Sequence, residues 1–149
     1  MLTGRQKRRN ADMLATLAPD VRELAKMHLS RCAEGGVDLL VVQAARGMEE
    51  QASLYAQGRT MPGSVVTNAR PGYSWHNFGR AYDVAVVEAG KPVWDSPGYD
   101  KAGEVGGALG LVWGGGFRKV KGDLGHFEYH PGLTLAMARR FFSKKKEGA

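Results

Sequence analysis

The stretch Ser74–Val87, SWHNFGRAYDVAVV, decides how this chain reads. Its second half, AYDVAVV (residues 81–87), is short, apolar and rich in β-branched side chains, which predicts a buried strand. A carboxylate, Asp83, stands inside that strand, where burial is costly unless the group is paired or metal-bound. His76 lies seven residues earlier. Seven residues rise about 10 Å along a straight helix and further along a strand. His76 and Asp83 therefore meet only if the chain bends between them, and Gly79 stands where that bend is needed.

Working outward, VDLLVVQ (residues 37–43) reads as a second buried strand, and EEQASLYAQG (49–58) as a helix closed by Gly58. Residues 59–75 hold Pro62, Gly63, Asn68, Pro71 and Gly72, a long loop of the kind that often carries function. Upstream, Thr3 caps a helix running to about Leu17, and Pro19 opens another where its missing N–H does no harm. Val21, Leu24, Ala25, Leu29 and Cys32 share one face of that helix, and Gly35-Gly36 ends it. His28 lies beside this stripe and reads as a packed or surface histidine. Downstream come a short helix near Tyr99–Leu109, a turn over Trp113–Gly116, a third strand HFEYH (126–130) and a last helix from 133 to about 145. Short strands without regular βαβ alternation predict an α+β fold, with no internal repeat or low-complexity linker to divide residues 1–149.

The composition narrows the function classes. At 149 residues, 43% hydrophobic and 24% charged, the chain carries enough apolar material for a core. No apolar run approaches the roughly 20 residues of a membrane-spanning helix. The start, MLTGRQKRRN, is basic but leads into no apolar signal core, so no export signal is expected. The single cysteine, Cys32, excludes an internal disulfide framework, and on an apolar stripe it is a poor nucleophile. A net charge of +6 favours polyanions: nucleic acid, anionic lipid or an acidic wall polymer. The charge gathers at Arg5, Lys7, Arg8 and Arg9, and again at Arg139, Arg140 and Lys144–Lys146. No helix-turn-helix, RNA-binding or zinc-finger pattern supports nucleic acid.

A second segment, Gly122–His130 (GDLGHFEYH), holds two more of the four histidines. A catalytic zinc site needs about three protein ligands and an open position for water. His126, Glu128 and His130 share one face of an extended segment, but the two histidines then lie about 13 Å apart, so only one binds a given ion. Spacing alone leaves that choice open. Asp123, three residues before His126, suits a general base for metal-activated water. Glu128 suits that role too, or that of orienting His126. No G-x-S-x-G elbow supports a serine hydrolase.

The spaced set Ser74-x-His76-x-x-Gly79-x-Ala81-x-Asp83, followed by Asp123-x-x-His126, resembles the signature of the D-alanyl-D-alanine carboxypeptidase family of zinc peptidases. Arg46–Thr60 (RGMEEQASLYAQGRT), Pro62-Gly63, Val66–Arg70 (VTNAR), Trp113-Gly114-Gly115 and His126-Phe127-Glu128 resemble its phage endolysin branch, the L-alanyl-D-glutamate peptidases. The likeness runs from about Leu39 to Glu128. It implies a small Hedgehog/DD-peptidase-like fold, an antiparallel sheet flanked by helices, forming one peptidase domain without a separate wall-binding domain. It implies Zn2+ held by His76, Asp83 and His126, with Asp123 as general base and Arg46 polarising the scissile carbonyl. His130 is not a ligand in this likeness; Ser74 and Glu128 support the site from behind. The implied substrate is the peptidoglycan stem peptide, cut between L-Ala and D-Glu. The alternatives are removal of terminal D-Ala, or a non-catalytic zinc or wall-binding module. A monomer is expected, kept in the host cytoplasm until a holin-type pore admits it to the wall. The basic last helix is a candidate contact for anionic envelope lipid. Gly47, Gly116 and Gly125 depart from the family pattern, where Ser, Asp and Pro are common, and bear on substrate-side contacts and loop shape.

Overall fold

The computed structural model describes residues 1–116 and 123–147, with side chains described through Ser143. In chain order the elements are α1 (Gly4–Leu14), α2 (Pro19–Glu34), β1 (Asp38–Gln43), α3 (Met48–Ala56), β2 (Ala81–Glu88), β3 (Lys91–Pro92), α4 (Gly98–Ala108), β4 (Val112–Trp113), β5 (His126–Glu128) and α5 (Leu135–Glu147). The fold is α+β. The strands form one antiparallel sheet in the order β1-β2-β5-β4, with β3 paired to the end of β2.

Strand β2 is central, and its two-residue period divides its side chains between two faces. Tyr82, Val84 and Val86 join the core with Phe127 from β5, Leu39 and Val41 from β1, and Val21, Ala25 and Cys32 from α2. Tyr82 and Phe127 are fully buried, lie opposite each other in the register and stack with centroids 5.8 Å apart. Burying each ring contributes on the order of 1.5–3 kcal/mol. The other face of β2 carries Asp83, directly opposite His126.

Helix α1 covers the outer edge of β1. Its capping box pairs Thr3 with Gln6. The Asn10 side chain then completes the edge: its Nδ2 donates to the Leu39 carbonyl and its Oδ1 accepts from the Val41 N–H. An edge strand satisfied in this way has no row of open backbone groups there. On the core side, α4 packs closely because of its glycines. A Cβ at Gly103 would land on the Trp113 ring, and one at Gly106 would lie 2.7 Å from Phe127.

Several elements differ from the sequence reading. α1 stops at Leu14 rather than Leu17, and the Thr16 and Leu17 N–H groups close it in a tighter turn on the Met13 and Leu14 carbonyls. The segment read as a turn at Trp113–Gly116 begins with the last residue of β4 and continues as a 3₁₀ turn over Gly114–Gly116. β3 was not expected; two residues are too few to show a period. The third strand ends at Glu128, so Tyr129 and His130 leave it. A 3₁₀ turn at Trp75–Phe78 lies at the end of the segment read as loop.

His28 is fully buried and bridges three elements. Its Nε2 donates to the Ala102 carbonyl on α4 at 2.8 Å, and its Nδ1 accepts from the Tyr82 hydroxyl at 2.7 Å. Burial pushes its pKa below the usual value, against the opposing effect of the Ala102 bond. In the unfolded chain the imidazole gains a proton near pH 6.5, which the folded site resists. Stability from this group is present above that pH and declines as the pH falls below it. His28→Phe strands the Tyr82 hydroxyl, and we expect a loss of about 1–3 kcal/mol in urea unfolding. The same variant should show a weaker decline in stability between pH 7 and pH 5 than the native chain.

Candidate metal centre and cleft

The bend between His76 and Asp83 is made by the Trp75–Phe78 turn and Gly79. Ser74 caps that turn: its Oγ accepts from the His76 N–H at 3.2 Å. Gly79 closes it in the left-handed conformation, φ 67°, where a Cβ would also lie 3.0 Å from the Ala18 nitrogen. The chain reverses there and enters β2, so His76 comes back over Asp83.

Three side chains converge. His76 Nε2 lies 3.2 Å and His126 Nδ1 2.9 Å from the same oxygen, Asp83 Oδ1. The ligand atoms of the three residues all fall within 4.8 Å of one another. Donors around a tetrahedral zinc-sized ion sit about 3.3 Å apart, given bonds near 2.0–2.1 Å. Each imidazole is also held through its other nitrogen. His76 Nδ1 donates to the Ala44 carbonyl at 2.8 Å, and His126 Nε2 donates to Glu128 Oε2 at 2.7 Å. This assigns the tautomers that present His76 Nε2 and His126 Nδ1 as metal donors. Two imidazoles and one carboxylate, pre-oriented in this way, fit a divalent ion of zinc type.

The electrostatics are those of a tight cluster. Burial works to raise the Asp83 pKa, but hydrogen bonds from His126 and His76 outweigh it and hold the carboxyl well below the usual range. Burial works to lower His126, yet its bonds to Asp83 and Glu128 raise it to about 10. Asp123 is raised, first by burial and further by the charges of Asp83 and Glu128, with His126 and His76 opposing.

Among the described residues, contacts to the backbone carbonyls just after it position Asp123. Trp113 Nε1 donates to the Leu124 carbonyl at 2.6 Å, and the Val84 N–H donates to the Gly125 carbonyl at 2.8 Å. A Cβ at Gly125 would collide with the Val84 carbonyl, which accounts for glycine at this departure from the family pattern. Gly47 is the N-cap of α3, with nothing within 4 Å of an added Cβ. The segment after Gly116 lies outside the described residues.

A cleft of about 530 Å³ reaches the cluster through His126; Ser74, Trp75, Asp123 and Glu128 line it as well, together with Val66–Ala69 and Tyr73. A larger apolar groove of about 590 Å³, between Phe78, Leu133 and Phe142, does not include them. Arg46 is not among the cleft-lining residues. Its N–H donates to the His76 carbonyl at 2.8 Å, and its Nη1 donates to Gln51 Oε1 at 2.9 Å. Its Nε is buried without a partner among the described residues.

Sequence reasoning passed over the residues that hold this frame. Gln51 is fully buried; it receives Arg46 and donates from Nε2 to the Ala69 carbonyl at 2.7 Å, tying α3 to the cleft wall. Asn77 accepts from Gly72 and donates to the Arg46 carbonyl. The capping pattern Ser74-x-x-Asn77 was legible; the burial of Gln51 on an otherwise polar helix start was not. From α5, Arg139 donates to the Gly72 carbonyl at 3.1 Å and lies over the Tyr73 ring at 4.0 Å, fastening the rim of the cleft.

Comparison with known proteins places the chain among relatives. The D-alanyl-D-alanine carboxypeptidase family profile matches residues 67–129. The peptidoglycan L-alanyl-D-glutamate endopeptidase CwlK of Bacillus subtilis (strain 168) is 36% identical over 126 residues, covering 77% of this chain and 74% of the relative. Among solved structures, the L-Ala D-Glu endopeptidase ChiX of Serratia marcescens superposes with a TM-score of 0.64 at 20% identity, over 87% of this chain and 90% of that one. The vancomycin resistance D,D-pentapeptidase VanY in complex with Zn(II) superposes with a TM-score of 0.57 at 14% identity, over 85% and 78%. The buried His-Asp-His cluster, the fold around it and the kinship with CwlK lead to one conclusion: the chain belongs to the D-alanyl-D-alanine carboxypeptidase (M15, VanY-like) family and is a peptidoglycan-cleaving metallopeptidase.

Proposed function

We propose that this chain is a zinc-dependent endopeptidase that cleaves the L-Ala–D-Glu bond of the peptidoglycan stem peptide, acting as a phage endolysin. The observation that carries the reading is the convergence of His76, Asp83 and His126 beside a cleft that also holds Asp123. The choice of bond is supported by the 36% identity to CwlK. Removal of terminal D-Ala is the second reading, favoured by the description of the matching family profile.

His76, Asp83 and His126 would hold the ion. Zinc supplies Lewis acidity, making water ionisable near neutral pH and polarising the scissile carbonyl. Asp123, its pKa raised by burial, accepts the proton of the attacking water and returns it to the leaving amine. Glu128 is less suited to that exchange, because both its oxygens already accept from imidazoles, His126 and His130. The family likeness gives Arg46, which Gln51 holds outside the cleft lining, the task of lending positive charge to the carbonyl oxygen as the tetrahedral centre forms. Ser74 keeps His76 in place through the capped turn.

In cells, the enzyme would wait in the host cytoplasm and reach the wall through a holin-type pore. Its last helix exposes Phe141 (55%) and Phe142 (41%) beside Arg140, an amphipathic surface suited to anionic envelope lipid. The side chains of Lys144–Lys146 lie outside the described residues.

Four outcomes test these statements. Mass spectrometry of digested muropeptides should reveal free C-terminal L-Ala; release of single D-Ala would establish the second reading instead. Asp123→Ala should retain zinc by elemental analysis yet lose about 10²–10⁴-fold in turnover, and near-native turnover would refute the base assignment. Because zinc must displace the Nδ1 proton of His126, whose pKa is about 10 in the metal-free protein, zinc uptake should release protons. Apparent affinity should then rise by about tenfold per pH unit between pH 6 and 8 for one displaced proton; a pH-independent affinity would contradict this. Finally, deletion of residues 144–149 should weaken lysis of intact cells more than hydrolysis of purified wall, and equal losses would reject lipid contact.

A further inference from the structure

The metal centre leaves one histidine of this region without a role. His130 lies just past β5, where its ring stacks on Trp75 with centroids 4.0 Å apart and planes 7° from parallel. Its Nε2 lies 2.8 Å from Glu128 Oε1. An ionised carboxylate only accepts, so this nitrogen carries the proton and donates it. The other oxygen of the same carboxylate, Oε2, receives His126 Nε2 at 2.7 Å. Glu128 is 13% exposed and His130 23%, so both contacts are largely shielded from water. Trp75 is the chain neighbour of His76 and sits in the same capped turn. The series Trp75, His130, Glu128, His126 thus starts beside one metal donor and ends on another.

The torsion that turns a glutamate carboxylate about its last bond is broad and weakly preferred. A single hydrogen bond to His126 leaves that rotation free to drift, carrying the imidazole with it. Donors on both oxygens fix the carboxylate plane. The flat contact with Trp75 in turn fixes the His130 ring. A metal ligand whose outer nitrogen is held in this way keeps its inner nitrogen aimed, and loss of such partners typically costs metal affinity.

We propose that His130, clamped by Trp75, is a positioning residue of the metal centre: it fixes Glu128, which aims His126 Nδ1 at the ion. This rests on the zinc reading above. It extends to a residue outside the ligand set, reached through two hydrogen bonds.

The test uses the full-length protein and measures zinc dissociation constants by competition with a chromogenic chelator. His130→Ala should bind zinc about 10–100-fold more weakly. His130→Gln retains an N–H donor for Glu128 and should recover most of the affinity, which loss of general packing would not permit. Trp75→Ala should weaken binding in the same direction. The visible spectrum of the cobalt-substituted protein should change in His130→Ala and return towards native in His130→Gln. Native affinity in His130→Ala would overturn the proposal while leaving the zinc reading intact. Equal losses in the Ala and Gln variants, matched by equal falls in thermal stability, would also overturn it. A native protein that takes up no zinc would overturn both readings together.

Discussion

The structure turns on a carboxylate in an apolar strand. Asp83 lies in the middle of β2, between neighbours that are fully buried, and such a charge is sustained only by partners that compensate for lost hydration. The two imidazoles provide that compensation from different directions. One comes from across the sheet, brought opposite by strand register; the other returns over a turn from earlier in the chain. Removing either would leave a poorly matched buried charge, so the contacts that would serve the proposed metal also serve folding.

The surrounding scaffold mostly controls backbone position. Ser74 and Asn77 shape the turn that carries His76, and the Ala44 carbonyl sets its ring. Trp113 and Val84 grip the segment from Asp123 to His126 through its carbonyls. The register shift between Val41 and Gln43 places the break in the β1–β2 ladder beside Asp83. Such irregularities commonly re-aim side chains next to active sites. Gln51 works at a greater distance, joining the arginine of one segment to the wall of the cleft.

Much of this arrangement was legible in the sequence for physical reasons. The short apolar, β-branched run around Asp83 marked a strand, and desolvation marked the carboxylate as needing partners. Gly79 marked the bend, because only a reversal brings His76 within reach. The choice between His126 and His130 was not legible from spacing. It depends on the strand ending at Glu128, where the Tyr129 N–H makes one last bond to the Arg80 carbonyl and His130 beyond it stacks on Trp75. Those partners are distant in sequence. The burial of Gln51 was hidden for the same cause: its partner, the Ala69 carbonyl, arrives from a loop that no local propensity describes. β3 and β4, at two residues each, exist through pairing alone.

The contact of Arg139 with Gly72 and Tyr73 gives the terminal helix a double identity. Its inner stretch belongs to the cleft, since Arg139 props the rim at Gly72 and Tyr73. Trimming the chain back beyond Arg139 would therefore remodel the mouth of the enzyme. Any engineering of the C-terminus, whether by fusion or by shortening, has a natural boundary on the distal side of that arginine.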